Sequence, residues 1–165
     1  MTKVSTLSDV RIHAIYVSPG HNFVGHHGKP PGEHPVEAVP EVECVEGKGL
    51  RGDRFFGHGE NYKGQITFIA REDIEEVAKA LGREPPDPAS FRRNVVTGGV
   101  NLHDWIGRRF RIQGILFEGV EHCRPCYWMD RAVGPGAEKA MDGRGGLRAR
   151  ILSSGILRIN EGEGA

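Results

Sequence analysis

The residues best suited to chemistry lie together in His122-Cys123-Arg124-Pro125-Cys126, directly after an apolar, strand-like run. A cysteine acts as nucleophile or metal ligand only as its thiolate. The imidazole of His122 and the guanidinia of Arg124 and Arg131 are the groups that favour that form here. A C-x-x-C pair is open to three readings: a dithiol redox pair, half of a zinc site, or one working thiol beside a bystander. A structural Cys₄ zinc site needs a second pair, which Cys44 alone does not supply, although Cys123 and Cys126 with two loop histidines would still hold zinc. A thioredoxin-type pair belongs in a βαβ setting, which the strand-and-loop pattern around this motif does not offer.

Other candidate groups are dispersed. Arg92, Arg93 and Asn94 stand just before a strand, where a guanidinium fork and an amide suit a phosphate or the polar edge of a heterocycle. A solvated surface role is the plainer alternative. Asp53 and Arg54, within LRGDRF, read as an internal ion pair that shapes a glycine-rich loop. His21, His26, His27 and His34 crowd one long Gly/Pro-rich loop, residues 19–35, without carboxylates at helical spacing. They read as solvated before they read as ligands, and a loop of that length marks a pocket rim.

The elements that must position these groups are mostly strands. Residues 10–18 (VRIHAIYVS) alternate apolar and polar up to Pro19-Gly20, and residues 36–45 form a second strand interrupted near Pro40. Residues 65–70 (QITFIA) are a short strand. The next segment sets Ile74, Val77, Ala78 and Leu81 on one helical face and stops at Gly82. Residues 95–97 are strand-like, and 101–107 form a helical turn. Residues 109–120 read as one strand bent at Gly114, and residues 147–159 as a closing hairpin. About six or seven strands with one clear helix argue for a mainly β, antiparallel barrel with a few short helices, rather than a parallel βαβ sheet.

Composition bounds the rest. The 165 residues suit a single domain, 1–165. Lys+Arg and Asp+Glu both number 22, so no global field draws in nucleic acid or an anionic membrane, and any charged ligand must be recognised locally. No long apolar run suggests a membrane span or a leader, and three cysteines fit no secreted disulfide framework, which makes the cytoplasm the expected location.

Taken in order, the motifs resemble the MOSC family, the domain named for the C-terminal part of molybdenum cofactor sulfurases. They are residues 49–54 (GLRGDR), 65–72 (QITFIARE), 92–99 (RRNVVTGG), 106–119, 122–126 and 146–159 (GLRARILSSGILRI). The succession RRN, G-x-x-F-x-I, C-x-P-C is more specific than any one of them. The resemblance implies a MOSC-like β-barrel and an association with molybdenum cofactor (molybdopterin) and cysteine-bound sulfur. It further implies that Cys126 is the thiolate that ligates molybdenum or carries a persulfide, with Cys123 secondary. Arg92 and Asn94, with Arg93, would face the phosphate and pterin; Asp53, Arg54 and His122 would complete the pocket, and Arg124 would help neutralise an oxygenated metal centre. The expected activity is an oxidoreductase reducing N-hydroxylated compounds with an electron-donor protein. The alternatives are a sulfur carrier fed by a cysteine desulfurase through a Cys126 persulfide, and a zinc-binding module. A small-molecule substrate, a monomer or homodimer, and a cofactor lost on isolation complete the expectation.

Overall fold

A computed structural model describes residues 4–6, 10–20, 35–59, 61–125 and 128–160. The strands are β1 (Val4–Thr6), β2 (Arg11–Val17), β3 (Glu37–Ala38), β4 (Glu41–Val45), β5 (Gly49–Leu50), β6 (Ile66–Ala70), β7 (Val95–Gly98), β8 (Arg109–Ile112), β9 (Ile115–His122), β10 (Leu147–Ile151) and β11 (Gly155–Arg158). Helices α1 (Arg71–Ala80), α2 (Trp128–Ala132) and α3 (Ala137–Ala140) join them, with 3₁₀ turns at Pro88–Phe91 and Leu102–Trp105.

The expected interruption near Pro40 separates β3 from β4, and α1 ends where Gly82 was expected to end it. Three expectations are corrected. The segment around Gly114 reverses rather than bends: Gln113 and Gly114 both have positive φ, 53° and 81°, as a two-residue hairpin turn with the native twist requires. Thus β8 and β9 pair as an antiparallel hairpin.

The C-terminal strands do not pair with each other. β10 lies between β6 and β9, whereas β11 pairs with β4 in a second sheet. The Ser153 side chain accepts the Leu116 amide, which ties the connection to β9 while the chain changes sheets. Finally, β6–α1–β7 is a βαβ unit with parallel neighbours, because α1 carries the chain back over the sheet.

The two sheets run β1-β8-β9-β10-β6-β7-β2-β3 and β11-β4-β5. Most pairings are antiparallel, but β1·β8 is also parallel, and among the described residues the large sheet is not closed by pairing between its edges. The fold is therefore mainly β, in two facing sheets. Between them lies a core of Ile12, Ile15, Leu50, Phe68, Phe110, Phe117 and Leu147, joined by Cys44. Alternation on β6 and β7 sends Phe68 and Val95 into that core and Ile69 and Val96 to the other face. There α1, α2 and α3 contribute Ile74, Val77, Met129, Ala137 and Met141 to a second core. Among the described residues no helix is long and apolar enough to cross a membrane.

Candidate functional site

Beside the helical layer, the same outer face of the large sheet carries a polar row. Arg148 of β10 stands opposite Thr67 of β6 on one side and Glu121 of β9 on the other. Thr67 is joined in turn to Asn94, at the entrance to β7. The Asn94 Oδ1 accepts from the Thr67 amide at 3.0 Å and from its hydroxyl at 3.1 Å, and the Nδ2 donates to the Tyr16 carbonyl at 3.2 Å. Asn94 is thus a buried cross-link between strands, and its amide is largely used within the sheet.

Arginines gather above this row. Arg93 is buried, donating from Nε to the Gly145 carbonyl at 2.7 Å and from a terminal nitrogen to the Phe91 carbonyl at 3.0 Å. Arg92 caps the 3₁₀ turn in the left-handed conformation (φ 57°) and reaches the Ser18 hydroxyl at 3.3 Å and the Gly20 carbonyl at 3.4 Å. Arg54 pairs with Asp53 at 3.2 Å and donates to the Arg92 carbonyl at 3.2 Å. The buried Asp53 carboxylate also accepts the Ser18 and Phe55 amides, so the expected loop-fixing pair is present.

These groups crowd one another. Burial, with Arg93 as a neighbouring cation, lowers the Arg54 pKa against the opposing pull of Asp53 and Cys123. Burial and the Arg54 charge bring Arg92 down to about 10. Asp53 is the one fully buried carboxylate among the described residues of this group.

Cys123 faces the same cluster. Its thiol is buried and within electrostatic reach of the Arg148 guanidinium; burial alone would lower the Arg148 pKa, but Cys123, Tyr62 and Glu121 raise it. Two glycines let the cysteine loop lie this close. The Cys123 amide donates to the Gly146 carbonyl at 2.8 Å, and a Cβ at Gly145 would overlap the Cys123 carbonyl. An aromatic rim adjoins the cluster: Phe55 and Tyr62 stack at 5.6 Å, and the Arg54 guanidinium lies 4.8 Å from the Phe55 centroid.

From Cys123 the loop leads along a cleft of about 660 Å³, lined in part by His122, Arg124, Pro125, Lys139, Asp142 and Gly145. Arg124 is exposed there. His122 is partly buried and its pKa is lowered by burial, then by His103 and Arg124. Cys126, like the histidines at 21, 26, 27 and 34, lies outside the described residues. Cys44 is sealed in the main core, where burial pushes its thiol up to about 12, so it has no part in the site.

Thus Asp53, Arg54, Arg92 and Arg93 converge, with Cys123 in reach of Arg54; His122 and Arg124 occupy the adjoining cleft, and Asn94 braces the sheet beneath. Arg148, Tyr62 and His103 were not anticipated. For Arg148 a signal existed: alternation in residues 147–151 (LRARI) turns it to the face opposite the core. Tyr62 sits in an irregular segment and His103 on the expected helical turn, and what each faces is set by tertiary packing.

A model of the MOSC domain matches residues 26–163. The chain belongs to the MOSC domain family. Among solved structures, it is similar to the YUAD protein from Bacillus subtilis, with a TM-score of 0.74 and 17% identity over 91% of each chain. It is also similar to YiiM from Geobacillus stearothermophilus (TM-score 0.63, 17% identity, 90% of this chain and 71% of that one). YiiM from Escherichia coli gives a TM-score of 0.61 at 18% identity, covering 90% of this chain and 65% of that one. At such identities the likeness shows a shared fold. No curated protein matches significantly. In this MOSC domain Arg93 of the RRN segment and Cys123 of the cysteine segment both reach the glycine pair at 145 and 146, although β7 and β9 are separated by β10 and β6.

Proposed function

We propose that this MOSC domain binds the molybdenum cofactor, with the Cys126 thiolate as metal ligand, and reduces N-hydroxylated compounds. The observation that carries the reading is the guanidinium cluster. Arg54 and Arg148 act on Cys123, Arg92 and Arg93 crowd Arg54, and the one fully buried carboxylate among the described residues there is Asp53. Gathering partly and fully buried guanidinia about a single buried carboxylate is costly, and an anionic ligand would offset that cost. The lowered pKa values of Arg54 and Arg92 express that cost, which a phosphate or oxyanion would relieve. Arg92 also holds a left-handed backbone that costs a non-glycine residue about 1–3 kcal/mol, as strained residues at binding sites do.

The donor set fits the group. Arg54, Arg92 and Arg148 would hold its phosphate, the Phe55–Tyr62 rim would flank a planar ring, and Arg124 would face the oxygenated end. A thiolate at Cys126, following Pro125 of the cleft wall, suits a soft, sulfur-bearing metal centre. When bound, the cofactor supplies two-electron redox chemistry. The protein's own residues bind and orient it, and the cleft admits a small substrate.

The test is anaerobic turnover of acetamidoxime to acetamidine by the cofactor-loaded protein with reduced viologen as electron donor. Turnover in wild type that is lost in Cys126→Ser supports the reading, and no turnover by loaded wild type rejects the reductase. The same basic surroundings of the C-x-x-C segment also suit a persulfide anion, which keeps sulfur transfer as a second reading. Sulfur added selectively at Cys126 by a cysteine desulfurase, seen by mass spectrometry, is its signature.

A further inference from the structure

The proposed mechanism makes no use of His122 on the cleft wall or of the titratable side chains next to it. His122 closes β9 and lines the cleft, and its ring meets that of His103 edge to face, with centroids 4.1 Å apart at 78°. His103 belongs to the exposed 3₁₀ turn Leu102–Trp105, which packs against both β6 and β9. That turn is held by Asn101, whose side chain accepts the His103 amide. Asp73, in the first turn of α1, is partly buried and within electrostatic reach of His103, Arg144, Glu72 and Glu76. Arg124, from its own loop, acts on His122, and Asp130, Glu138, Lys139 and Asp142 line the same cleft.

We infer that His103 and His122 form an electrostatically coupled imidazole pair, of which one ring at a time carries a proton, and that His122 delivers its proton into the cleft. Rings this close strongly disfavour carrying two positive charges, so protonation of one opposes protonation of the other and they titrate as a unit. Asp73 favours the singly protonated pair, and the Arg124 charge opposes a second proton at His122. The proton's use rests on the reductase reading. Reduction of an oxime-type N–OH to N–H breaks the N–O bond and takes up two electrons and two protons, with water as the other product. The electrons come from the external donor, a protonated imidazole at the cleft wall supplies the proton that lets hydroxide leave as water, and solvent supplies the second proton, which ends on nitrogen.

The pair is tested in the full-length protein without cofactor, by NMR titration of the ¹⁵N-labelled His122 imidazole. His103→Gln is the informative variant because its side chain is exposed and its loss leaves the fold intact. The titration midpoint of His122 is expected to rise by about one pH unit in that variant, the scale on which two sites titrate as a pair. An unchanged midpoint overturns the coupling, whatever the protein's activity. In the loaded enzyme, the alkaline limb of kcat for acetamidoxime should move to higher pH in His103→Gln. His122→Gln should lower kcat by about 100-fold, the usual scale for a general acid. A pH profile identical in wild type and His103→Gln overturns the donor role even if the pair is coupled. A protein that turns nothing over fails the reductase reading, and the titration still decides the pair.

Discussion

Replacing Asn94 with alanine removes a brace whose cost follows from its bonds. The side chain accepts from the Thr67 amide and hydroxyl and donates to the Tyr16 carbonyl, all at 3.0–3.2 Å and inside the sheet. Alanine strands the buried Thr67 amide and leaves its hydroxyl without that acceptor. A buried donor left unsatisfied costs about 1–3 kcal/mol, so the combined loss should be about 3 kcal/mol. For a chain of this length each kcal/mol lowers Tm by about 2–4 °C, which places the expected fall at about 6–12 °C. Calorimetry at pH 7 reads it directly. Thr67→Val removes the partner hydroxyl, so the double variant should lose less than the two single variants combined. A fall in Tm under about 2 °C, or strict additivity, would refute the view that Asn94 serves the sheet.

Further outcomes follow from other sites. Gly146→Ala, at φ 103° with its Cβ driven into the Phe68 carbonyl, should cost more than about 4 kcal/mol in urea unfolding. Full stability in that variant would contradict the close approach. Cys44 ionises only near pH 12, so alkylation at pH 8 should leave it unmodified until the protein unfolds; rapid labelling of native protein at Cys44 would argue against its core placement. His13 is held below 6.5 mainly by burial and by Arg71. A base whose folded pKa is lowered contributes stability above its unfolded pKa and loses it as pH falls. The protein should therefore lose more stability between pH 7 and pH 5 than His13→Gln does, and parallel stability curves would count against this.

Much of the fold was legible because its local signals were strong. Alternation marked β2, a short strand-like run marked β6, a one-sided apolar stripe marked α1, and Pro40 divided β3 from β4. The Gln113-Gly114 reversal was missed because glycine next to a long polar residue serves a bulge as well as a hairpin, and only the positive φ at Gln113 distinguishes them. The change of sheets between β10 and β11 was missed for a different reason. Their pairing partners, β9 and β4, are distant in sequence, and a short connection resembles a hairpin until the partners are known. At the site, residue types pointed to Asp53, Arg54, Arg92 and Arg93, whose convergence the fold then supplied. Arg148 and His103 gain meaning only from what stands opposite them: the Cys123 thiol in one case, the His122 ring in the other.

The central claim is that the guanidinium cluster and Cys126 together hold a molybdenum–pterin group. Its most direct test is the molybdenum, zinc and pterin content per chain of wild type, Cys126→Ser and Arg148→Met, purified without oxygen from a host that makes the cofactor. The account predicts molybdenum and pterin near one per chain in wild type, molybdenum lost in Cys126→Ser, and pterin reduced in Arg148→Met. Wild type loaded with zinc instead, or molybdenum retained equally in all three proteins, would contradict it.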